Sequence, residues 1–186
     1  MSNNAANVTF GKPKVGGGIW RAPLGTTLPT DATTALGNAF ISLGYIADTG
    51  VVNNNSPTVE TIRAWGGDVV ATPQTEKTDT YAFGFLEYLK KEVQETVHGA
   101  GNVTGDLDTG MTVRKNSATL DEYVYVIEQV LRGGVISRIV IPDGAITEIG
   151  EISYVDNDVA QYPVTITAMA SDELNGDTAR EYLKKP

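Results

Sequence analysis

The chain of 186 residues contains no cysteine and only one histidine, His98. Without cysteine there is no disulfide framework, no thiolate metal site and no cysteine nucleophile. A single histidine does not make a histidine-cluster metal site, and no nucleophile motif accompanies it to form a serine-type triad. At the end of a predicted helix, His98 needs no role beyond a favourable interaction with the helix dipole. We therefore expect no catalytic residues, no cofactor and no metal site.

Long hydrophobic runs are also missing. No stretch approaches the roughly 20 apolar residues of a membrane helix, and the first residues have no apolar core of a signal peptide. Hydrophobic residues nevertheless make up 41% of the chain, which is typical of a globular protein. We expect one domain, synthesised in the cytoplasm, with no membrane partner.

Positive charge is absent from a long C-terminal segment. The formal net charge is -9, and residues 139–179 contain eight acids but no lysine or arginine. Before Asp31 the balance reverses, with Lys12, Lys14 and Arg21 and no acid. An acidic body disfavours tight nucleic-acid binding, which depends on neutralising phosphates. A solvated, soluble surface is the simplest alternative explanation for the acids.

One stretch, residues 79–99, combines two periodicities. Tyr81, Phe83 and Phe85 recur at every second position, which predicts a strand with three rings on one face. The period then changes, and apolar residues three or four positions apart predict an amphipathic helix over residues 86–98. Its apolar stripe comprises Leu86, Leu89, Val93 and Val97.

Most of the remaining chain predicts strands and turns. Residues 119–131 have apolar side chains on both faces, so both faces should be covered by the protein itself or by another copy. Short turns, including one at Pro142-Asp143-Gly144, then predict an antiparallel meander through residues 135–141, 145–155 and 159–170. Gly66-Gly67 predicts a tight hairpin, Asn53–Asn55 a loop, residues 73–78 a polar linker, and Pro163 an edge or bulged position.

These elements predict a mainly β fold, an antiparallel β-sandwich or barrel with one flanking α-helix. Residues 1–38 are expected to form an extended arm, in which Gly16-Gly17-Gly18 indicates flexibility rather than a phosphate cradle. Residues 39–170 form the β domain. Residues 171–186 are a polar tail, expected to order only against a partner.

Five segments occur along the chain in a distinctive order: LPTDA at 28–32, LGYIADTGV at 43–51, IRAWGGDVV at 62–70, IPDGAIT at 141–147 and YPVTITA at 162–168. In this order they resemble the major tail proteins of long-tailed, non-contractile bacteriophages. The resemblance covers most of the chain between about Leu28 and Glu173.

The resemblance implies a tube protein similar in fold to the inner tubes of contractile tails and type VI secretion. It implies hexameric rings stacked into a tail tube, through which DNA leaves the virion without specific binding. Further partners would be the tape measure, tail terminator and distal tail proteins. A non-enzymatic β-sandwich binding module or a virion adaptor is the competing hypothesis, and an enzyme ranks third.

Three sets of residues are then candidate assembly sites. Trp65, beside Gly66 and Gly67 at a hairpin tip, is predicted to contact the next ring, because exposed rings of this size mark interfaces. A mobile arm would dock on the acidic body of a neighbouring subunit through Lys12, Lys14, Trp20 and Arg21. For an acidic lumen wall the candidates are Glu151, Asp143, Asp156 and Asp158, with Glu151 favoured over Glu148 because strand alternation places it on a more polar face.

Overall fold

The computed structural model describes residues 3–14 and 18–186, so Gly16 and Gly17 of the glycine run lie outside the described residues. The fold is mainly β, with a large antiparallel sheet and a single α-helix, α1 (Lys91–His98). Short 3₁₀ turns occur at Ala5–Asn7, Ala100–Asn102, Arg132–Gly134 and Asp172–Leu174. No helix within the described ranges is long and apolar enough to span a membrane.

The strands are numbered in chain order. They are β1 (Lys12–Pro13), β2 (Ile19–Pro23), β3 (Ile41–Ser42), β4 (Val52–Val59), β5 (Ile62–Arg63), β6 (Val69–Ala71), β7 (Gln74–Phe85), β8 (Val103–Thr104), β9 (Thr112–Val113), β10 (Tyr123–Val130), β11 (Ile136–Ile149), β12 (Tyr162–Ala168) and β13 (Arg180–Lys184). The main sheet has the order β3-β2-β10-β11-β12-β7-β4, with β1 also paired to β10 and β13 to β11. β5 pairs with β6 and β8 with β9 in separate two-stranded sheets.

β11 is the longest strand and joins the two halves of the main sheet. Residues 136–141 pair with β10 on one side, and residues 136–140 pair with β13 on the other. Beyond a bulge, residues 144–149 pair with β12. The predicted turn at residues 142–144 is therefore wrong. A Cβ on Gly144 would lie 2.9 Å from the Tyr125 ring, so this glycine permits close packing rather than a turn.

The helix is shorter than the predicted 86–98. It begins at Lys91, and Leu89 of the predicted apolar stripe is exposed, whereas Val93 and Val97 are buried. Residues 86–90 instead form a bend, in which the Tyr88 ring stacks on Tyr162 with ring centroids 4.6 Å apart. This aromatic contact prevents residues 86–90 from forming a helix directly after β7.

Two other polar segments are strands rather than a loop and a tail. Asn53–Asn55 lies within β4 and pairs with β7, which itself extends back to Gln74 through the predicted linker. The C-terminal segment forms β13 against β11. The hydrophobic pattern did not predict either strand because their residues are largely exposed. Backbone pairing alone defines them.

Pro163 lies in an interior strand, contrary to the predicted edge position. Its carbonyl accepts a hydrogen bond from the Gly150 backbone N–H over 2.8 Å. In an antiparallel strand the N–H and C=O of one residue point to the same side. Pro163 has no backbone N–H, and the position of this missing donor therefore faces the side of β11. Because β11 has already ended at Ile149, no hydrogen bond between the two strands is lost.

The predicted N-terminal arm is partly built into the sheet. β2 pairs with β10 from Ile19↔Ile127 to Pro23↔Tyr123, and Ile19 and Ala22 are buried. Deleting residues 1–24 would therefore remove a sheet strand.

β10 is covered on both faces by the protein itself. Tyr123, Tyr125 and Ile127 belong to a core that also contains Val93 and Val97 of α1. The other face belongs to a smaller core of buried Val124, Val126, Ala22, Phe40 and Val140, against which Leu28 and Leu36 pack. The irregular chain between β2 and β3 thus covers the second face of β10.

A buried ion pair lies on that second face. Arg138 and Glu128 are cross-strand partners, and the Arg138 Nε donates to Glu128 Oε1 over 3.0 Å. The Arg138 Nη1 also donates to the Asp31 carbonyl over 2.8 Å, which ties the covering segment to the sheet. Both side chains are at least 97% buried, because their exposed fractions are 1% and 3%.

We expect Glu128→Gln to lower the free energy of unfolding by about 3–5 kcal/mol, because removing one partner leaves the other charge buried and unpaired. Urea unfolding measures this loss. Asp177→Asn is the matched control, since Asp177 pairs with Arg180 at the exposed surface, and we expect no comparable loss there. Equal effects of the two substitutions would contradict the structural role of the buried pair.

Candidate assembly surfaces

A long hairpin projects from the sheet. All of β4 and the first five residues of β7 are exposed, and β5 and β6 continue the hairpin to its tip. At the tip, Gly66 and Gly67 have φ values of 113° and 97°, which L side chains rarely adopt. The Arg63 Nη1 donates to the Gly67 carbonyl over 2.9 Å and closes the turn. The predicted hairpin at Gly66-Gly67 is present.

The hairpin carries the apolar groups that a monomer would normally hide. Trp65 at its tip is fully exposed. The other exposed apolar residues of the hairpin are Val52, Val59, Ile62, Val69 and Val70. An exposed apolar set of this kind is typical of a contact surface.

A buried carboxylate anchors the base of the hairpin. Asp79 is 3% exposed and accepts a hydrogen bond from Asn53 Nδ2 over 2.7 Å and another from Thr178 Oγ1 over 3.0 Å. These bonds join both hairpin strands to the C-terminal segment. Burial, then the nearby carboxylates of Asp79 and Glu181, raise the pKa of Tyr81 far above its ordinary value. The sequence offered no signal for this anchor.

One face of the sheet segment β11–β12–β7–β4 is open and polar. Its register places threonine and other small residues on this face, opposite the buried face of Tyr81, Phe83 and Ile166. Among the described residues that this register places on the face, Glu76 and Glu148 are ionisable and none is lysine or arginine. The face comprises Val52, Asn54, Ser56, Thr58, Glu76, Thr78, Thr80, Ala82, Gly84, Ala145, Thr147, Glu148, Pro163, Thr165 and Thr167.

The structure places Glu148, and not Glu151, on the open face. A register shift between Ile146 and Glu148 changes the phase of β11, so Glu148 lies opposite Thr165 on the open face. Thr165 Oγ1 donates to Glu148 Oε2 over 3.4 Å. β11 ends at Ile149, and Glu151 lies in the exposed segment beyond it.

The other three acids predicted for a lumen wall lie off the open face. Asp156 and Asp158 are exposed in a turn after β11. Asp143 is half-buried near the β11 bulge, and its Oδ1 is buried without a hydrogen-bond partner among the described residues. Of the acids considered for the wall, Glu148 is the one that lies on the open face.

Three of the four predicted arm residues contact the chain's own fold. Lys14 Nζ lies 3.1 Å from Glu128 Oε1. Arg21 is 5% exposed, pairs with Glu95 at 2.9 Å and lies 4.4 Å above the Tyr123 ring centroid. Trp20 is half-buried in β2 opposite Val126, whereas Lys12 is exposed in β1. Trp20 and Arg21 are therefore held within the chain's own fold, and a docking role for them stays a prediction.

The single histidine takes part in a packed polar cluster. His98 Nε2 lies 3.2 Å from Tyr162 Oη, which also donates to Gln94 Oε1 over 3.0 Å. Burial, and then the charge of Lys115, lower the pKa of His98. Within residues 3–14 and 18–186, no group of three or more His, Asp or Glu could hold a metal ion.

Both edges of the open-faced segment have free backbone groups. β4 is the last strand of the sheet and has no partner on its outer side within the described chain. On the opposite side, β10 pairs with β11 only as far as Gly144, so residues 145–149 have no strand beside them there. Two free edges with one open face allow such a segment to join others side by side.

A family model described as "Phage tail tube protein" matches residues 1–184. No curated protein matches the chain.

The exposure of the hairpin tip predicts that it can be removed without destabilising the monomer. The Glu60 N–H donates to the Pro73 carbonyl over 3.0 Å, so the two strands are already close there and a short Gly/Ser-rich loop can replace residues 61–72. We expect the unfolding free energy to change by less than about 0.5 kcal/mol. Phe85→Ala, in the core, should instead cost about 3–5 kcal/mol. A large loss on tip removal would contradict this picture.

Proposed function

The chain belongs to the phage tail tube protein family, and from that membership we propose that its copies form hexameric rings that stack into a DNA-conducting tube. The family is a structural one, which places the protein in the virion tail and points away from enzymatic function. We further propose that it is made in the host cytoplasm and contacts tape measure, tail terminator and distal tail proteins.

The observation that carries the proposal is the four-stranded segment with two free edges. β4 of one copy can pair with residues 145–149 of the next, which would satisfy the free backbone groups of both. Repetition of this head-to-tail contact closes a ring if the rotation per copy is right. The open polar faces would then line a continuous inner wall.

The hairpin supplies the contact between rings in this proposal. β7 extends five residues, 74–78, beyond its last pairing with β12 at Asp79, which corresponds to about 17 Å of extended chain, and the tip lies beyond its start. The hairpin therefore reaches past the body of its own subunit. Trp65, with Gly66 and Gly67 shaping its turn, would anchor the tip on the next ring.

The chemistry of the open face suits a conduit for DNA. An inward lysine or arginine would hold a phosphate, and the face has none. Glu76 and Glu148 would repel the duplex weakly and evenly, while the threonine hydroxyls keep the wall hydrated. Glu151, Asp143, Asp156 and Asp158 take no part in this wall.

Size-exclusion chromatography with negative-stain electron microscopy tests the proposal directly. We expect rings or tubes from the full-length protein. A persistent monomer at every concentration would overturn self-assembly and favour a binding module or a virion adaptor instead.

Trp65→Ala should leave a folded monomer that polymerises poorly, because it removes the apolar anchor without touching the core. Tyr45→Ala is the matched control, since Tyr45 is an aromatic residue with 77% exposure outside the hairpin. Tube formation is followed by light scattering, and folding by circular dichroism. If both variants polymerise like the parent, Trp65 is not the anchor.

Glu148→Lys should permit tail assembly but slow DNA ejection, because the new cation attracts phosphates within the conduit. The delay should shrink at high salt, where screening shortens electrostatic range. Glu151→Lys adds the same charge away from the open face and should have a smaller effect. The measurement is ejection from virions carrying each variant at several ionic strengths. Equal rates for both variants would remove Glu148 from the lumen.

A further inference from the structure

A groove lies at one end of β10, outside the surfaces described so far. It has a volume of about 720 Å³ and is bounded by the Arg132–Gly134 turn, the C-terminal residues and the N-terminal segment. Its apolar lining residues are Leu131, Val135, Leu183 and Pro186. Leu183 is 60% exposed despite this position, so the described part of the chain leaves the groove open.

Two cations border the groove. Arg132 and Lys185 both line it, and neither forms an ion pair within the described part of the chain. The Arg132 Nη1 donates to the Ala5 carbonyl over 3.0 Å, which fixes the guanidinium without neutralising it. In a protein with a net charge of -9, this basic border is unusual.

The chain also contains a projecting feature with the opposite charge pattern. Between β8 and β9, the segment Asp106-Leu107-Asp108 places an apolar side chain between two acids, and Leu107 is 60% exposed. The Thr109 backbone N–H and hydroxyl each donate to Asp106 Oδ1 over 2.7 Å, so the loop has a defined shape. Asp108 has no such partner among the described side chains.

The groove and the base of this loop are at opposite ends of β10. The loop base is tied to the N-terminal end, because the Ala100 N–H donates to Asp121 Oδ2 over 3.2 Å, just before Tyr123. The groove begins at Leu131, just after Val130. Eight residues of strand separate them, about 25 Å in extended geometry, so one copy cannot readily fill its own groove.

We propose that the Asp106–Asp108 loop of one copy inserts Leu107 into the Leu131–Leu183 groove of a second copy, with its acids facing Arg132 and Lys185. The contact is heterologous, since each copy offers its loop and its groove to different neighbours. The inference rests on the proposed self-assembly and adds a second contact to the sheet edges and the hairpin.

Charge pattern favours this loop over the hairpin tip as the occupant. Trp65 is also apolar and exposed, but its nearest charged neighbours are Arg63 and Asp68, one of each sign. Leu107 is flanked on both sides by acids, which complement the two cations of the groove. Complementary fields of this kind set register and suppress wrong pairings.

Disulfide trapping tests the contact cleanly, because the chain has no native cysteine. Leu107→Cys and Leu183→Cys variants are mixed, assembled and exposed to a mild oxidant. We expect a covalent dimer from the mixture and none from either variant alone. Both positions are exposed, so the substitutions should not disturb folding.

A Trp65→Cys variant mixed with Leu183→Cys serves as the control for the alternative occupant. Tubes without a 107–183 crosslink would overturn this inference and leave the proposed function standing. A crosslink from 65 to 183 instead would assign the groove to the hairpin. A protein that never assembles would overturn both proposals.

Charge reversal gives an independent test. Asp108→Lys or Lys185→Glu alone should weaken assembly about tenfold, equivalent to 1.4 kcal/mol, and the double variant should recover most of this loss. Neither side chain has an internal partner among the described residues, so folding provides no competing explanation. Additive losses in the double variant would contradict a direct contact between the two positions.

Discussion

The fold depends on the way in which β11 changes its surroundings along its length. Its first half lies between β10 and β13, and its second half pairs with β12 alone. The bulge at residues 142–143 separates these two halves of β11 and shifts the alternation of its side chains between the two faces of the sheet. Because of this one strand, the protein has a half with both faces covered and a half with an open face and free edges.

Sequence periodicity predicted the strands that have one face or both faces buried. The alternation of Tyr81, Phe83 and Phe85 predicted the core strand, and the two apolar faces of β10 predicted its double cover. It did not predict strands whose residues are mostly exposed. β4 is exposed at every position, so its Asn-rich segment has no pattern, and only pairing with β7 makes it a strand.

The assembly surfaces were predictable to a similar extent. Trp65 beside two glycines is a local signal, and the structure exposes it at the tip of a hairpin. The position of Glu148 depends on a register shift that no local pattern reveals, so alternation favoured Glu151. The groove could not be predicted, because its walls come from residues near both termini and from the turn after β10.

Electrostatics then decides which contacts between copies are possible. Lys14, Arg21 and Arg138 form ion pairs with the chain's own Glu128 and Glu95, so these three cations do little to offset the surface acids. Copies with a charge of -9 repel one another at long range. At physiological ionic strength this repulsion is screened beyond about 8 Å. The proposed assembly would therefore depend on short-range features: free strand edges, exposed apolar side chains, and the few places where unpaired cations remain among the described residues.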